Sequence, residues 1–221
     1  MTRSTPPVSF AWFGKLPGAG DFVSRRMSYA LQQFWDHWCA EGMDALKAGS
    51  GTTGLAVWGS TPQWAFVLPA QPGVPMGQVG VFAPSCDRVG RVFPFIVVAP
   101  LVRDQLAMFL DRAALLGLAW GQVISQAQES RFGVEALDAG LQEALDETLA
   151  SERPDDDDGL STLPMGLEPD PSILPWPDLS REFDLQGSDT YWWSVPPPTT
   201  GFQSRILRGP LKTIHFLDLC R

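Results

Sequence analysis

The chain has 221 residues and a net charge of −9, a length that suits one large domain or two small ones and that can bury a core without disulfides. The charge is uneven: residues 1–100 hold seven basic and five acidic side chains, whereas residues 129–189 hold three basic and seventeen acidic ones. Because an acidic surface repels phosphates, the composition argues against nucleic acid and favours a basic partner surface for the C-terminal part.

The cysteines and the apolar segments indicate a cytoplasmic protein. Cys39, Cys86 and Cys220 are odd in number and widely spaced, which suits a reducing compartment better than a disulfide framework. Residues 1–7 lack the apolar core of an export signal. The longest apolar run, residues 93–102, is interrupted by two prolines and is too short to span a bilayer. We therefore expect no membrane insertion.

A predicted buried strand at residues 10–13 leads into a glycine-rich turn at residues 14–22, here called the first loop. The loop is not a Walker A motif, because Ser9 stands where a glycine is needed and Leu16 stands where Ser or Thr would bind magnesium. It is not a dinucleotide fingerprint either, because Val23 replaces the third glycine. We predict no cofactor here. The candidate site residues in or beside this rigid loop are Lys15, Pro17, Gly20, Asp21 and Arg25.

The next elements predict an α+β fold. Apolar residues at spacings of three and four predict an amphipathic helix over residues 29–47. Short apolar runs between Gly/Pro-rich turns predict strands at residues 55–58, 64–68, 79–83 and 92–99. Consecutive strands joined by short turns pair antiparallel, since parallel pairing needs a crossover of about a dozen residues. We predict a central antiparallel sheet packed by helices.

A charged turn at residues 84–91, here called the second loop, lies between two of these strands. Guanidinium groups hold carboxylates in a bidentate fork, so the aspartates of the two loops can pair with neighbouring arginines and join the loops. The same charged groups can instead bind a partner, and both interpretations stay open. The candidate site residues of the second loop are Ser85, Asp87, Arg88, Gly90 and Arg91.

The second half of the chain predicts helices, an acidic connection and further strands. Helical spacing predicts two helices, at residues 103–125 and 134–149. The Pro-rich acidic segment 151–188 is typical of a linker or a draped arm. Two strands and a terminal helix follow, at residues 191–195, 202–207 and from Pro210. We expect one domain over residues 1–221, with its core at residues 9–150 and 188–220.

Trp192 and Trp193 are adjacent in the predicted strand at residues 191–195. Neighbouring side chains in a strand point to opposite faces of the sheet. One ring is therefore expected in the core, and the other is expected to be free for recognition.

Catalytic and metal sites are poorly supported. Cys86 is the candidate nucleophile, but His37 and His215 are the only histidines available as its base, and neither lies in a recognisable motif. The aspartate run at residues 155–158 fails as a calcium loop, because a loop aligned on Gly159 has no carboxylate at its first or twelfth position. We predict no catalytic residue and no metal site.

Three motifs together resemble the TagF family associated with bacterial type VI secretion. They are Gly14-Lys15-Leu16-Pro17 with Gly20-Asp21-Phe22-Val23, Pro84-Ser85 with Asp87-Arg88-Val89-Gly90-Arg91-Val92-Phe93-Pro94, and Trp192-Trp193. The resemblance spans most of residues 9–100 and about residues 188–217. Each motif alone is modest, but the three in this order are specific.

The resemblance implies a longin-like, SNARE-like α/β core in a cytoplasmic accessory protein that restrains type VI secretion after translation. It also implies partners among the secretion components, including a forkhead-associated scaffold protein, and action alongside a PppA-type phosphatase. The family offers no catalytic residues to transfer. Two alternatives stay open: a small hydrolase that uses Cys86 or the Lys15/Asp21 loop, and a structural scaffold of the apparatus.

Overall fold

The computed structural model describes residues 8–50, 57–151, 179–195 and 203–221. Within these ranges seven strands form one sheet: β1 (Ala11–Gly14), β2 (Val23–Arg25), β3 (Gln63–Leu68), β4 (Gly77–Ala83), β5 (Phe95–Leu101), β6 (Thr190–Val195) and β7 (Ser204–Leu207). The strand order is β2-β1-β5-β4-β3-β6-β7, and every pairing is antiparallel. The predicted α+β class with a central antiparallel sheet is confirmed.

Helices cover both faces of this sheet. They are α1 (Tyr29–Ser50), α2 (Arg103–Glu129), α3 (Val134–Ala150), α4 (Leu179–Glu182) and α5 (Thr213–Leu219). On one face, Trp38 of α1 and Phe216 of α5 pack against Phe82 of β4. On the other face, Leu116 of α2 and Val81 of β4 belong to a second core. Because both faces are buried, the central strands are apolar along most of their length, which makes them recognisable in the sequence.

Both rings of the Trp192-Trp193 pair are buried. The two side chains do point to opposite faces: Trp192 packs against Trp38 with ring centroids 5.9 Å apart, and Trp193 lies in the core on the α2 side. The prediction that one ring is free for recognition is wrong, because helices cover the sheet on both sides. We assign both tryptophans to the core.

Some element boundaries differ from the predicted ones. Residues 57–60 are helical, so the strand predicted at residues 55–58 is wrong over its described part. The sequence does not predict β2, because three residues are too few to display an alternating pattern. The terminal helix begins at Thr213 instead of Pro210. The sheet itself is unaffected by these differences.

The predicted acidic connection falls only partly on described residues. Residues 152–178, which include the aspartate run, lie outside the described ranges. Leu179 and Phe183 are buried in the same core as α2. The packed region therefore begins before the core boundary predicted at residue 188.

The α2 helix is the one described helix that is long and apolar enough to cross a membrane, with a mean hydropathy of 1.3 in its most apolar window. Its apolar residues Leu106, Leu116 and Trp120 are buried in the core with strands of the sheet. A core helix of a globular protein has this composition, because it is apolar on most of its faces.

Candidate functional site

The sheet places the two loops side by side. The first loop joins β1 to β2, and the second loop leads from β4 towards β5. Gly14 at the end of β1 and Ala83 at the end of β4 both pair with Phe95 at the start of β5. Gly14 has a φ of 141°, and a Cβ there would lie 2.2 Å from the carbonyl oxygen of Pro94. Only glycine permits this close approach of the two chain segments.

Hydrogen bonds then join the loops directly. The Arg88 amide donates to the Ala19 carbonyl at 2.8 Å. The Ser85 hydroxyl donates to the Lys15 carbonyl at 2.7 Å, and Ser85 is buried. These bonds fix the two loops relative to each other, although they are not the aspartate–arginine pairs that the charge pattern suggested.

Asp87 of the second loop is the centre of a cluster of charged side chains that come from both loops. Its Oδ2 atom accepts hydrogen bonds from Lys15 Nζ at 3.0 Å and from Arg91 Nε at 2.6 Å. Its Oδ1 atom accepts from the backbone amides of Val89 at 3.1 Å and Arg91 at 2.9 Å. Asp87 and Lys15 are buried. We call Lys15, Asp87 and Arg91 the ion-pair cluster; the pairing of Asp87 with Arg91 was among those predicted, whereas Lys15 as its partner was not.

Two opposing effects set the pKa of Asp87. Burial raises the pKa, because a buried carboxylate loses its hydration. The Arg91 amide, the Lys15 and Arg91 side chains and the Val89 amide lower it, because all of them donate to the ionised form. The donors prevail and hold the pKa of Asp87 well below its usual range. Asp87 is therefore charged at neutral pH, and interior donors surround its charge.

Pro17 and Gly90 shape the loops without presenting a reactive side chain. Gly90 has a φ of 87°, a conformation that other residues adopt rarely, and its amide donates to the Asp87 carbonyl at 2.9 Å. Pro17 is half-buried in the first loop. Both residues belong to the loop architecture.

Asp21 and Arg25 do not join the ion-pair cluster. Asp21 is exposed, and its Oδ1 accepts the neighbouring Phe22 amide at 2.8 Å. Arg25 instead pairs with two carboxylates of α3, Glu135 at 2.8 Å and Asp138 at 3.3 Å. The interpretation that Arg25 joins the two loops is therefore wrong, because β2 directs this side chain towards α3.

An exposed surface remains beside the ion-pair cluster. Phe22 is 45% exposed and Val89 is 70% exposed. Arg88 is exposed, and 58% of the Arg91 side chain is accessible. The Phe22 ring stacks on Phe13 with centroids 5.5 Å apart. We call Phe22, Arg88, Val89 and Arg91 the loop surface.

Phe22 and Val89 were not among the predicted site residues. Phe22 contacts the edge of Phe93, with centroids 4.8 Å apart, and lies 5.1 Å from Lys15 Nζ. Val89 follows Arg88 in a turn that Asp87 pins through its carboxylate. Val89 has charged neighbours on both sides of its short turn, and this is the signal in the sequence from which an exposed apolar group could have been predicted.

The comparisons with known proteins decide the family. The family described as "TagF N-terminal domain, Type VI secretion system-associated" matches residues 11–146. The chain belongs to the TagF family. A crystal structure of PA0076 from Pseudomonas aeruginosa PAO1 is similar in fold, with a TM-score of 0.65 and 24% identity over 96% of this chain and 94% of that chain. Among curated proteins, none matches this sequence.

The matched TagF region contains both loops, strands β1 to β5, helices α1 and α2 and most of helix α3. Strands β6 and β7 and helices α4 and α5 lie beyond it. The ion-pair cluster and the loop surface are thus part of the domain that defines the family.

Among the described residues of this TagF chain, Lys15 and the two histidines contact groups other than the candidate nucleophile. Lys15 pairs with Asp87 and not with Asp21. The two histidines have other contacts: His37 lies 3.4 Å from Glu41, and His215 accepts the Lys212 amide at 3.3 Å. Among the described residues, no group of three or more His, Cys, Asp or Glu side chains is placed to hold a metal ion.

Proposed function

We propose that this TagF chain is a cytoplasmic, non-enzymatic negative regulator of a type VI secretion system and that it acts by binding protein partners. The loop surface is the observation that supports this proposal most directly. Exposed apolar and cationic side chains stand on two loops that a buried ion-pair cluster holds together. A surface that is ordered before binding loses little conformational entropy when a partner arrives. Loops on a rigid scaffold are a frequent place for binding residues.

The partners in this proposal are components of the secretion apparatus. A forkhead-associated scaffold protein is the leading direct partner, and the chain acts alongside a PppA-type phosphatase. Membership of the TagF family supports partners among the type VI components, and the resemblance of the motifs to that family supports the two named ones. The longin-like arrangement that the resemblance implies stays a prediction.

Deletion of the chain from a bacterium with a working type VI system tests the direction of its effect. A negative regulator predicts more secreted effector in the culture medium after deletion and a return to the parental level on complementation. A scaffold predicts the opposite, because loss of a structural part stops secretion. Secretion that does not change on deletion would contradict the regulatory role.

Two variants in the same complementation assay separate binding from hydrolysis. Cys86 is half-buried, Asp21 is exposed, and neither belongs to the ion-pair cluster. We expect Cys86→Ala and Asp21→Asn, at wild-type protein levels, to restore repression fully. A folded Cys86→Ala variant that fails to repress would favour the hydrolase instead.

A further inference from the structure

Two guanidinium groups converge on Gly20 in the first loop. Arg91 Nη2 donates to the Gly20 carbonyl at 2.8 Å. Arg88 Nη2 approaches the same residue from the second loop and lies 3.3 Å from the position that a Cβ on Gly20 would take. Two cations from one turn therefore stand close together at a point where the backbone of the first loop carries no side chain.

The two arginines differ in how much of their hydrogen-bonding capacity is already used. Arg91 donates through Nε to Asp87 and through Nη2 to Gly20. For Arg88, the described residues supply no hydrogen-bond acceptor to the guanidinium, although its backbone amide is bonded to Ala19. Arg88 is thus an exposed cation on a fixed piece of backbone, and among the described residues its guanidinium has no acceptor.

Apolar groups lie beside these cations. Val89 stands between the two arginines in the sequence and is 70% exposed, and Phe22 presents the exposed part of its ring at the end of the first loop. Asp21 supplies a negative charge next to Phe22. Among the exposed side chains of residues 20–22 and 88–91, two are positively charged and one is negatively charged, with apolar side chains beside them.

We propose that the loop surface binds an acidic segment of a partner protein, with carboxylates on Arg88 and Arg91 and an apolar side chain on Phe22 and Val89. This inference rests on the proposed function, because it names the chemistry of the partner at the same surface. Guanidinium groups match carboxylates with paired N–H donors. The apolar neighbours exclude water and strengthen such pairs at the centre of an interface.

The surroundings favour protein carboxylates over a phosphate. Asp21 directly follows Gly20, the residue on which the two arginines converge, and its negative charge opposes a doubly charged phosphate more strongly than a singly charged carboxylate. Exposed Val89 and Phe22 also add nothing to the binding of a phosphate, whereas they suit the apolar side chains of a protein segment.

Fluorescence anisotropy with a labelled peptide of alternating Glu and Leu tests the inference on the full chain. Arg88→Gln is the informative variant, because the side chain of Arg88 is not part of the ion-pair cluster. Arg221→Gln is the matched control, since Arg221 is an exposed arginine near the C-terminus that pairs with Asp218. Comparison peptides carry Gln in place of Glu, or phosphoserine in place of Glu.

We expect Arg88→Gln to weaken binding of the Glu/Leu peptide about tenfold, the equivalent of roughly one charge-assisted hydrogen bond, and Arg221→Gln to leave it unchanged. Binding should also weaken as salt rises, because exposed charges are screened. Absence of wild-type binding, equal binding of the Gln/Leu peptide, or a stronger Arg88 dependence for the phosphoserine peptide would overturn the inference.

The acidic-segment inference is tested by the peptide assay and the regulatory role by the deletion assay, so the two can fail separately. If deletion raises secretion but Arg88→Gln binds the peptide like wild type, regulation stands and the acidic-segment inference fails. If Arg88→Gln loses the peptide but deletion leaves secretion unchanged, the surface chemistry stands and the regulatory proposal fails.

Discussion

At the scale of single residues, Asp87 has a structural role that its sequence context only partly reveals. Its position in a charged turn suggested contact with a partner, yet the side chain is buried and receives four hydrogen bonds from within the chain. Lys15 is buried with it. These residues hold the loops in place, and their neighbours Arg88 and Val89, which we propose for recognition, are exposed.

The lowered pKa of Asp87 predicts a specific pH dependence of stability. A carboxylate whose pKa is depressed in the folded state stabilises that state above its unfolded pKa of about 3.9, and the contribution is lost as the pH falls towards the folded pKa. Asp87→Asn should therefore lower the free energy of unfolding at pH 7, and the difference from wild type should shrink below about pH 4. Urea unfolding of both proteins over a pH series measures this difference. A difference that stays constant from neutral to acidic pH would contradict the role of the ionised carboxylate.

At the scale of elements, α5 docks on α1 through a close contact. A Cβ on Gly42 of α1 would lie 2.1 Å from the Phe216 ring of α5. The same contact places Phe216 against Trp38 and Trp58, with centroids 5.3 Å and 5.9 Å away. Glycine at this position lets a large aromatic side chain fill the space between the two helices.

The contact between Gly42 and Phe216 predicts that replacement by alanine changes the stability of the protein differently at Gly42 and at Gly49, two glycines of α1. Gly42→Ala should destabilise the protein by about 1–3 kcal/mol, because the ring or a helix must move to accept the methyl group. Gly49→Ala should be neutral or stabilising by up to about 1 kcal/mol, because nothing lies within 4 Å of its Cβ position and alanine favours a helix. Thermal unfolding of the two variants provides the test. Equal shifts in the melting temperatures of the two variants would show that the contact with Phe216 does not restrict the size of the side chain at position 42.

The sequence predicts the elements of the fold better than it predicts the contacts of the site. Central strands such as β4 are recognisable because both faces of the sheet are buried, and α1 is recognisable from its apolar stripe. The tryptophan prediction fails because it took one face of β6 to be open, although helices cover both faces of the sheet. The partnership of Lys15 with Asp87 depends on the register that pairs Gly14 with Phe95, which is a property of the folded sheet.

At the scale of the whole molecule, the acidic side chains are spread unevenly along the sequence, and the sheet brings the two loops together at one of its ends. Both loops belong to residues 1–100, which carry a small excess of basic side chains, whereas residues 129–189 are strongly acidic. The antiparallel order that brings β1 beside β5 concentrates two arginines and two exposed apolar residues at one end of the sheet. A partner with an acidic segment is therefore attracted to this end of a chain that is negatively charged overall.

Effector secretion by a strain that carries Arg88→Glu in place of the wild-type chain tests the central claim most directly. Arg221→Glu, compared at equal protein level and equal melting temperature, is the control for the change in charge. If the loop surface mediates repression, Arg88→Glu should raise secretion to the level of the deletion strain, and Arg221→Glu should remain repressed. Full repression by Arg88→Glu in a background where deletion raises secretion would contradict the account.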